Sequence, residues 1–156
     1  MSDYEKILAR AAKLCSTAER CRADVHDKLL KWGLSETEAE KAIGYLEENN
    51  FLDEERFARY FVKDKFRINK WGRIKIGYGL RQKAIPQQKI DDAIAKIDSD
   101  EYRAMLDQLL SKKQRNVGSV KDPANKAKLL RFAAQRGFTS EESYAALDRL
   151  EKSGKS

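Results

Sequence analysis

The sequence predicts an all-α protein, three tandem three-helix repeats forming an elongated, curved molecule. Three observations carry the prediction. The chain repeats itself three times without gaps, its apolar residues recur at helical spacing, and helix-start and helix-stop residues fall at equivalent places in the copies. Residues 22–46, 73–97 and 126–150 align at offsets of 51 and 53 residues. The alignment brings Val25, Ile76 and Leu129 into one column, and Leu29, Leu80 and Ala133 into the next. Further columns are Leu34/Ile85/Phe138, Ile43/Ile94/Leu147 and Leu46/Ile97/Leu150. Each copy reads helix, short turn, helix.

The punctuation follows in order. Gly33 and Gly137 stand where a helix ends in a left-handed residue. Ser35 with Glu38 and Thr139 with Glu142 form capping boxes that start the next helix. Pro86 holds the corresponding place in the middle copy and suits a helix start. A further helix precedes each pair: 4–17, then 53–68 capped by Asp53, then 100–114 capped by Ser99. The expected boundaries are repeats at 1–49, 50–98 and 99–151, with a flexible tail at 152–156. Each triplet is too small for a full core, so the three should stack as in a solenoid.

The stretch KWGRIKIGYGLRQKAI, residues 70–85, tests this reading, because local pattern alone gives it three meanings. Its glycines suggest a phosphate cradle, its alternation of Ile74, Ile76, Tyr78 and Leu80 a strand, and its cations a basic helix. A phosphate loop would need Lys and Ser/Thr after Gly77, where Tyr78 and Gly79 stand. The aligned copies do not alternate, so the stretch is read as a helix. On a helical wheel Gly77 faces inward, between Ile76 and Leu80 on one side and Ile74 and Tyr78 on the other. Its glycines weaken that helix by roughly 1 kcal/mol each relative to alanine, so tertiary packing must hold it.

Composition narrows function. Hydrophobic residues make up 41% and charged residues 37% of the 156. Mean hydropathy is −0.74, and no apolar run approaches the ~20 residues of a membrane span. Asp3 and Glu5 stand where a signal peptide carries positive charge, so a cytoplasmic protein is expected. Cys15, Cys21 and His26 are too few for a metal site, and they read as packing residues. No metal, cofactor or catalytic residue is therefore assigned. Asp53, Glu54 and Glu55 look like a carboxylate cluster but sit where a helix start favours negative charge anyway.

Net charge is +7 and unevenly placed. Residues 1–49 hold 8 basic and 10 acidic side chains, residues 50–98 hold 12 and 7, and residues 99–156 hold 12 and 8. Two tracts, 63–83 and 112–136, each carry eight Lys/Arg against one Asp. Such tracts attract a polyanion. Trp32, Trp71, Tyr60, Tyr78 and Phe61 are read first as core and second as platforms for unpaired bases.

These residues resemble the RecX family, bacterial regulators of the RecA recombinase, over nearly the whole chain. The most specific part is NFLDEERFARYFVKDKFR, residues 50–67, similar to the family's acidic pairs followed by Arg-Phe-Ala. GRIKIGYGLRQKAI at 72–85 and LLRFAAQRGF at 129–138 resemble two further family motifs. Ala84 departs from the pattern, which has glycine there. The resemblance implies a non-enzymatic protein that binds along the groove of the RecA filament on single-stranded DNA, and also binds DNA itself. It would limit recombinase, coprotease and ATPase activities in DNA repair and the SOS response. Two basic tracts without a base-reading motif predict sequence-tolerant binding of single strands, with duplex DNA as a further candidate, and a monomer is expected. Arg56, Phe57 and Ala58 match the signature, with Phe57 and Ala58 expected to pack. Charge placement nominates Lys65, Arg67, Lys70, Arg73, Lys75, Lys126, Lys128 and Arg131 for binding. A stand-alone helix-turn-helix DNA binder and a helical scaffold are the alternatives.

Overall fold

The computed structural model describes residues 2–154, and among these there are nine helices and no strand. They are α1 (Asp3–Thr17), α2 (Arg22–Lys31), α3 (Glu36–Glu48), α4 (Glu54–Arg67), α5 (Arg73–Gln82), α6 (Gln87–Ile94), α7 (Ser99–Val117), α8 (Pro123–Gln135) and α9 (Ser140–Lys152). The disputed stretch is thus helical, as its aligned copies require. Of the expected tail, residues 155 and 156 lie outside the described residues.

The chain forms two compact units. One comprises the residues up to Phe61 together with Gly79–Ala93, and the other Val62–Tyr78 together with the residues from Ile94 onward. The core of the first gathers Ala11 and Cys15 of α1, Val25 and Leu29 of α2, and Ala42, Ile43 and Leu46 of α3, with Trp32 partly buried against it. In the second, α7 packs on α8 and α9. Phe66 stacks on Tyr102 at 6.0 Å between ring centroids, and Tyr102 meets Phe138 at 5.3 Å.

Local chemistry fixes the ends. Both capping boxes form, Ser35 with Glu38 and Thr139 with Glu142. The Asp53 carboxylate accepts from the Arg56 N–H at 3.0 Å, and this bond holds its pKa below the usual value. Gly33 and Gly137 have φ of +111° and +99°. Ala84, at the equivalent turn, has φ +59°, so the middle copy takes the left-handed conformation without glycine.

Three expectations need correction. The cap of α7 is Asp98 rather than Ser99: in Asp98-Ser99-Asp100 the first carboxylate reaches the Glu101 N–H at 2.8 Å, and Ser99 becomes the first helical residue. In the middle copy α6 stops at Ile94, which leaves Ile94 and Ile97 half-buried where their counterparts in the other copies are buried. Finally, Tyr60 and Tyr78 are not core but 50% and 56% exposed. The inner face of α5 centres on Ile76 and Leu80, with Gly77 buried beside them, while Ile74 and Tyr78 point outward.

Candidate nucleic-acid interface

All eight nominated cations lie in the second unit. Lys65 and Arg67 sit on the last turn of α4, Lys70 in the connection, and Arg73 and Lys75 on the first turn of α5. No acidic residue falls between Asp64 and the end of α5. Trp71 draws two of these cations together. The Lys65 ammonium lies 5.1 Å and that of Lys75 4.8 Å from its ring centroid, cation–π distances that hold both stems in place. Lys75 also donates to the Gln135 carbonyl at 3.4 Å, and Lys65 lies 3.9 Å from Asp64. Lys70 is exposed, with φ +59°.

Arg73 and Arg67 are differently placed. The Arg73 guanidinium pairs with Glu142 at 3.2 Å and lies 3.9 Å over the Tyr102 ring. Tyr102 accepts from the Arg73 backbone N–H at 2.9 Å and donates to Glu142 at 3.4 Å. Burial pushes the Tyr102 hydroxyl up to about 12, so it stays protonated in this network. Arg73 is therefore built into the fold of the second unit. Arg67 is exposed and 3.6 Å from Glu101, a surface pair of small net strength.

On α8, Lys128 and Arg131 are exposed, and Lys126 lies 5.6 Å from the Tyr144 ring. Two further cations of the tract, Lys113 and Arg136, flank the Phe132 ring at 5.3 and 5.2 Å, and Arg136 donates to the Asn69 carbonyl at 3.1 Å. The Arg136–Phe132 pair is local to α8, but the docking of Lys113 on that ring and of Arg136 on the Asn69 carbonyl is not signalled by the sequence, because those partners come from other elements. Exposed cations on short helices can neutralise phosphates, each contact releasing counterions, while the half-buried ones set their spacing.

The first unit holds a grouping the sequence reading did not reach. His26 Nε2 lies 2.8 Å from Glu36 and 3.9 Å from Glu40, and Arg22 holds the other Glu40 oxygen at 3.0 Å. It is legible only once α2 and α3 are side by side. Cys15 and Cys21 are buried free thiols, and burial pushes Cys21 up to about 11. Arg56, from the signature, bonds the Glu19 carboxylate at 2.6 Å and the Asn50 and Phe51 carbonyls, while Phe57 and Ala58 are buried.

Family models for the first, second and third three-helix domains of RecX match residues 8–46, 53–94 and 100–147. The chain belongs to the RecX family. Among curated RecX relatives, the Regulatory protein RecX of Prosthecochloris aestuarii is 32% identical over 96% of each chain. That of Clostridium tetani is 29% identical over 95% of this chain and 68% of its own. The crystal structure of RecX from Lactobacillus salivarius shares the fold at a TM-score of 0.85, with 19% identity over 96% of this chain and 97% of that one. A second structure, of a regulatory protein RecX, gives 0.82, with 22% identity over 94% of this chain and 72% of that one. Among the described residues no helix is long and apolar enough to cross a membrane.

Proposed function

We propose that this chain is a non-enzymatic regulator that binds the RecA filament on single-stranded DNA and limits its strand exchange, coprotease and ATPase activities. Membership of a family whose members are named regulatory proteins sets the class of function. The observation that carries the reading further is the run from α4 to α5, where Lys65, Lys70 and Lys75 are presented without an intervening acid after Asp64. Such a surface binds a phosphate backbone without reading bases, which is what a protein following a filament on arbitrary sequence needs. Lys128 and Arg131 on α8 add two exposed cations to the same unit.

RecA-catalysed ATP hydrolysis on single-stranded DNA, measured with substoichiometric amounts of this protein, tests the proposal. Hydrolysis should fall well below the RecA-alone rate when the protein is present at far less than one copy per RecA. A rate that stays equal to RecA alone, up to equimolar protein, overturns it.

A further inference from the structure

Ile74 and Tyr78 lie four residues apart on α5, and their Cβ atoms are therefore neighbours on one face, roughly 5–6 Å apart. They are 53% and 56% exposed, while Ile76 and Leu80 of the same helix are fully buried. The aligned copies show that the fold does not require apolar residues here. The counterparts of Ile74 are Ala23 and Ala127, and those of Tyr78 are Asp27 and Arg131. Both charged counterparts are exposed. The middle copy alone carries a branched aliphatic and an aromatic side chain at these two surface positions. Two cations stand close by in the chain: Lys70 is exposed in the α4–α5 connection, four residues before Ile74, and the half-buried Lys75 follows Ile74 directly. Neither lysine is joined to a carboxylate among the described residues.

We infer that the Ile74–Tyr78 face of α5, with Lys70 and Lys75 close by in the chain, docks a protein surface that presents apolar side chains among carboxylates. An apolar centre with a charged rim is the anatomy of a protein interface, and tyrosine is frequent at its energetic centre. A nucleic acid would use the site poorly, because Ile74 offers neither a planar face to stack on a base nor a donor for phosphate. The two nearby cations select an acidic partner. Under the reading proposed above, on which this inference rests, that partner is a RecA subunit in the filament, so one helix would touch protein while the lysines beside it follow the phosphate path.

The variant Ile74→Ala/Tyr78→Arg tests this, since it transplants the third copy's own residues, Ala127 and Arg131, onto the same helical positions. Binding is measured by fluorescence anisotropy to an oligo(dT) strand alone and to RecA filaments assembled on that strand with ATPγS. With helicity unchanged by circular dichroism, filament affinity should fall at least about tenfold. Affinity for the bare strand should stay equal or rise, because a cation has been added. Filament affinity that is unchanged or increased overturns the inference and marks the face as a nucleic-acid surface or an idle one. Should the unaltered protein bind oligo(dT) but not the filament, the regulator reading itself fails, and the inference falls with it. Should the variant lose helicity, Tyr78→Arg alone gives the same comparison on a single exposed side chain.

Discussion

Gly72 and Gly137 meet backbone to backbone: a Cβ on Gly72 would lie 2.5 Å from the Gly137 carbonyl carbon and oxygen. The contact exists because α5 has no capping side chain of its own. Its first N–H groups are satisfied from elsewhere in the second unit, Gly72 by the Arg136 carbonyl at 2.7 Å, Arg73 by the Tyr102 hydroxyl and Ile74 by the Gly137 carbonyl at 3.0 Å. Gly72→Ala should therefore cost at least about 1–3 kcal/mol through overpacking against backbone that cannot yield. Gly33→Ala meets nothing within 4 Å and should cost only the left-handed strain, about 1–2 kcal/mol. Urea unfolding of the two variants measures the difference.

Ala84 provides the opposite test. Its φ of +59° is a conformation that costs an L-residue roughly 1–2 kcal/mol, and glycine adopts it without strain. Part of that gain is offset by the greater freedom of glycine in the unfolded chain. Ala84→Gly should raise stability by about 0.5–1 kcal/mol, seen as a higher urea midpoint with an unchanged slope. A lower midpoint would contradict the strain argument.

Arg56 stands in the sequence signature, yet its contacts are those of a clamp. One guanidinium holds the Glu19 carboxylate ahead of α2 and the carbonyls of Asn50 and Phe51 ahead of α4. Arg56→Ala removes charge-assisted bonds and should lower stability by about 2 kcal/mol. Arg56→Lys should recover only part of this, since an ammonium cannot present the same planar fork. Thermal unfolding of both variants gives the order.

Two buried groups make the protein sensitive to alkali. Burial raises Cys21 from 9.0 to about 11 and Tyr102 from 10.0 to about 12. In both cases the folded state binds the proton more tightly than the unfolded state, so stability falls as pH rises. The contribution is complete below pH 9 and is lost between about pH 9 and 12, each group accounting for at most about 3 kcal/mol. The urea midpoint should decline over that window. In the Cys21→Ala/Tyr102→Phe double variant the decline should be shallower, whatever its starting stability. An equal slope would show that neither group is the cause.

The three copies were legible because the columns Val25/Ile76/Leu129 and Leu29/Leu80/Ala133 are all buried, and alignment of the copies overrode the local alternation at 74–80. What could not be read is tertiary. The cap of α5 comes from Arg136, Gly137 and Tyr102, residues 29 or more positions away, and no local spacing encodes such a cap. Likewise the charge of Arg73 was visible but its engagement by Glu142 was not, since Glu142 also completes the Thr139 capping box and looked fully accounted for there.

That engagement decides how the basic surface is tested. Reversing Arg73 to Glu would set two carboxylates face to face at Glu142 and unsettle the fold, so a loss of binding would mean nothing. Lys70, Lys128 and Arg131 serve instead, all exposed and none of them joined to a carboxylate among the described residues. Their reversal to Glu changes the charge of the second unit by six, a field that survives screening over ~8 Å at physiological salt when a polyanion lies in contact. The control is equal reversal of Lys6, Lys13 and Lys28, all exposed in the first unit. For the unaltered protein, contact with about six phosphates of a single strand predicts a log–log salt slope near −4. The second-unit variant should bind oligo(dT) at least about tenfold more weakly at 0.1 M salt, with a slope nearer −2, and should inhibit RecA strand exchange correspondingly less. The first-unit control should keep both slope and inhibition. Equal loss in the two variants would show that binding follows total charge rather than the exposed cations of the second unit, and would move the interface elsewhere.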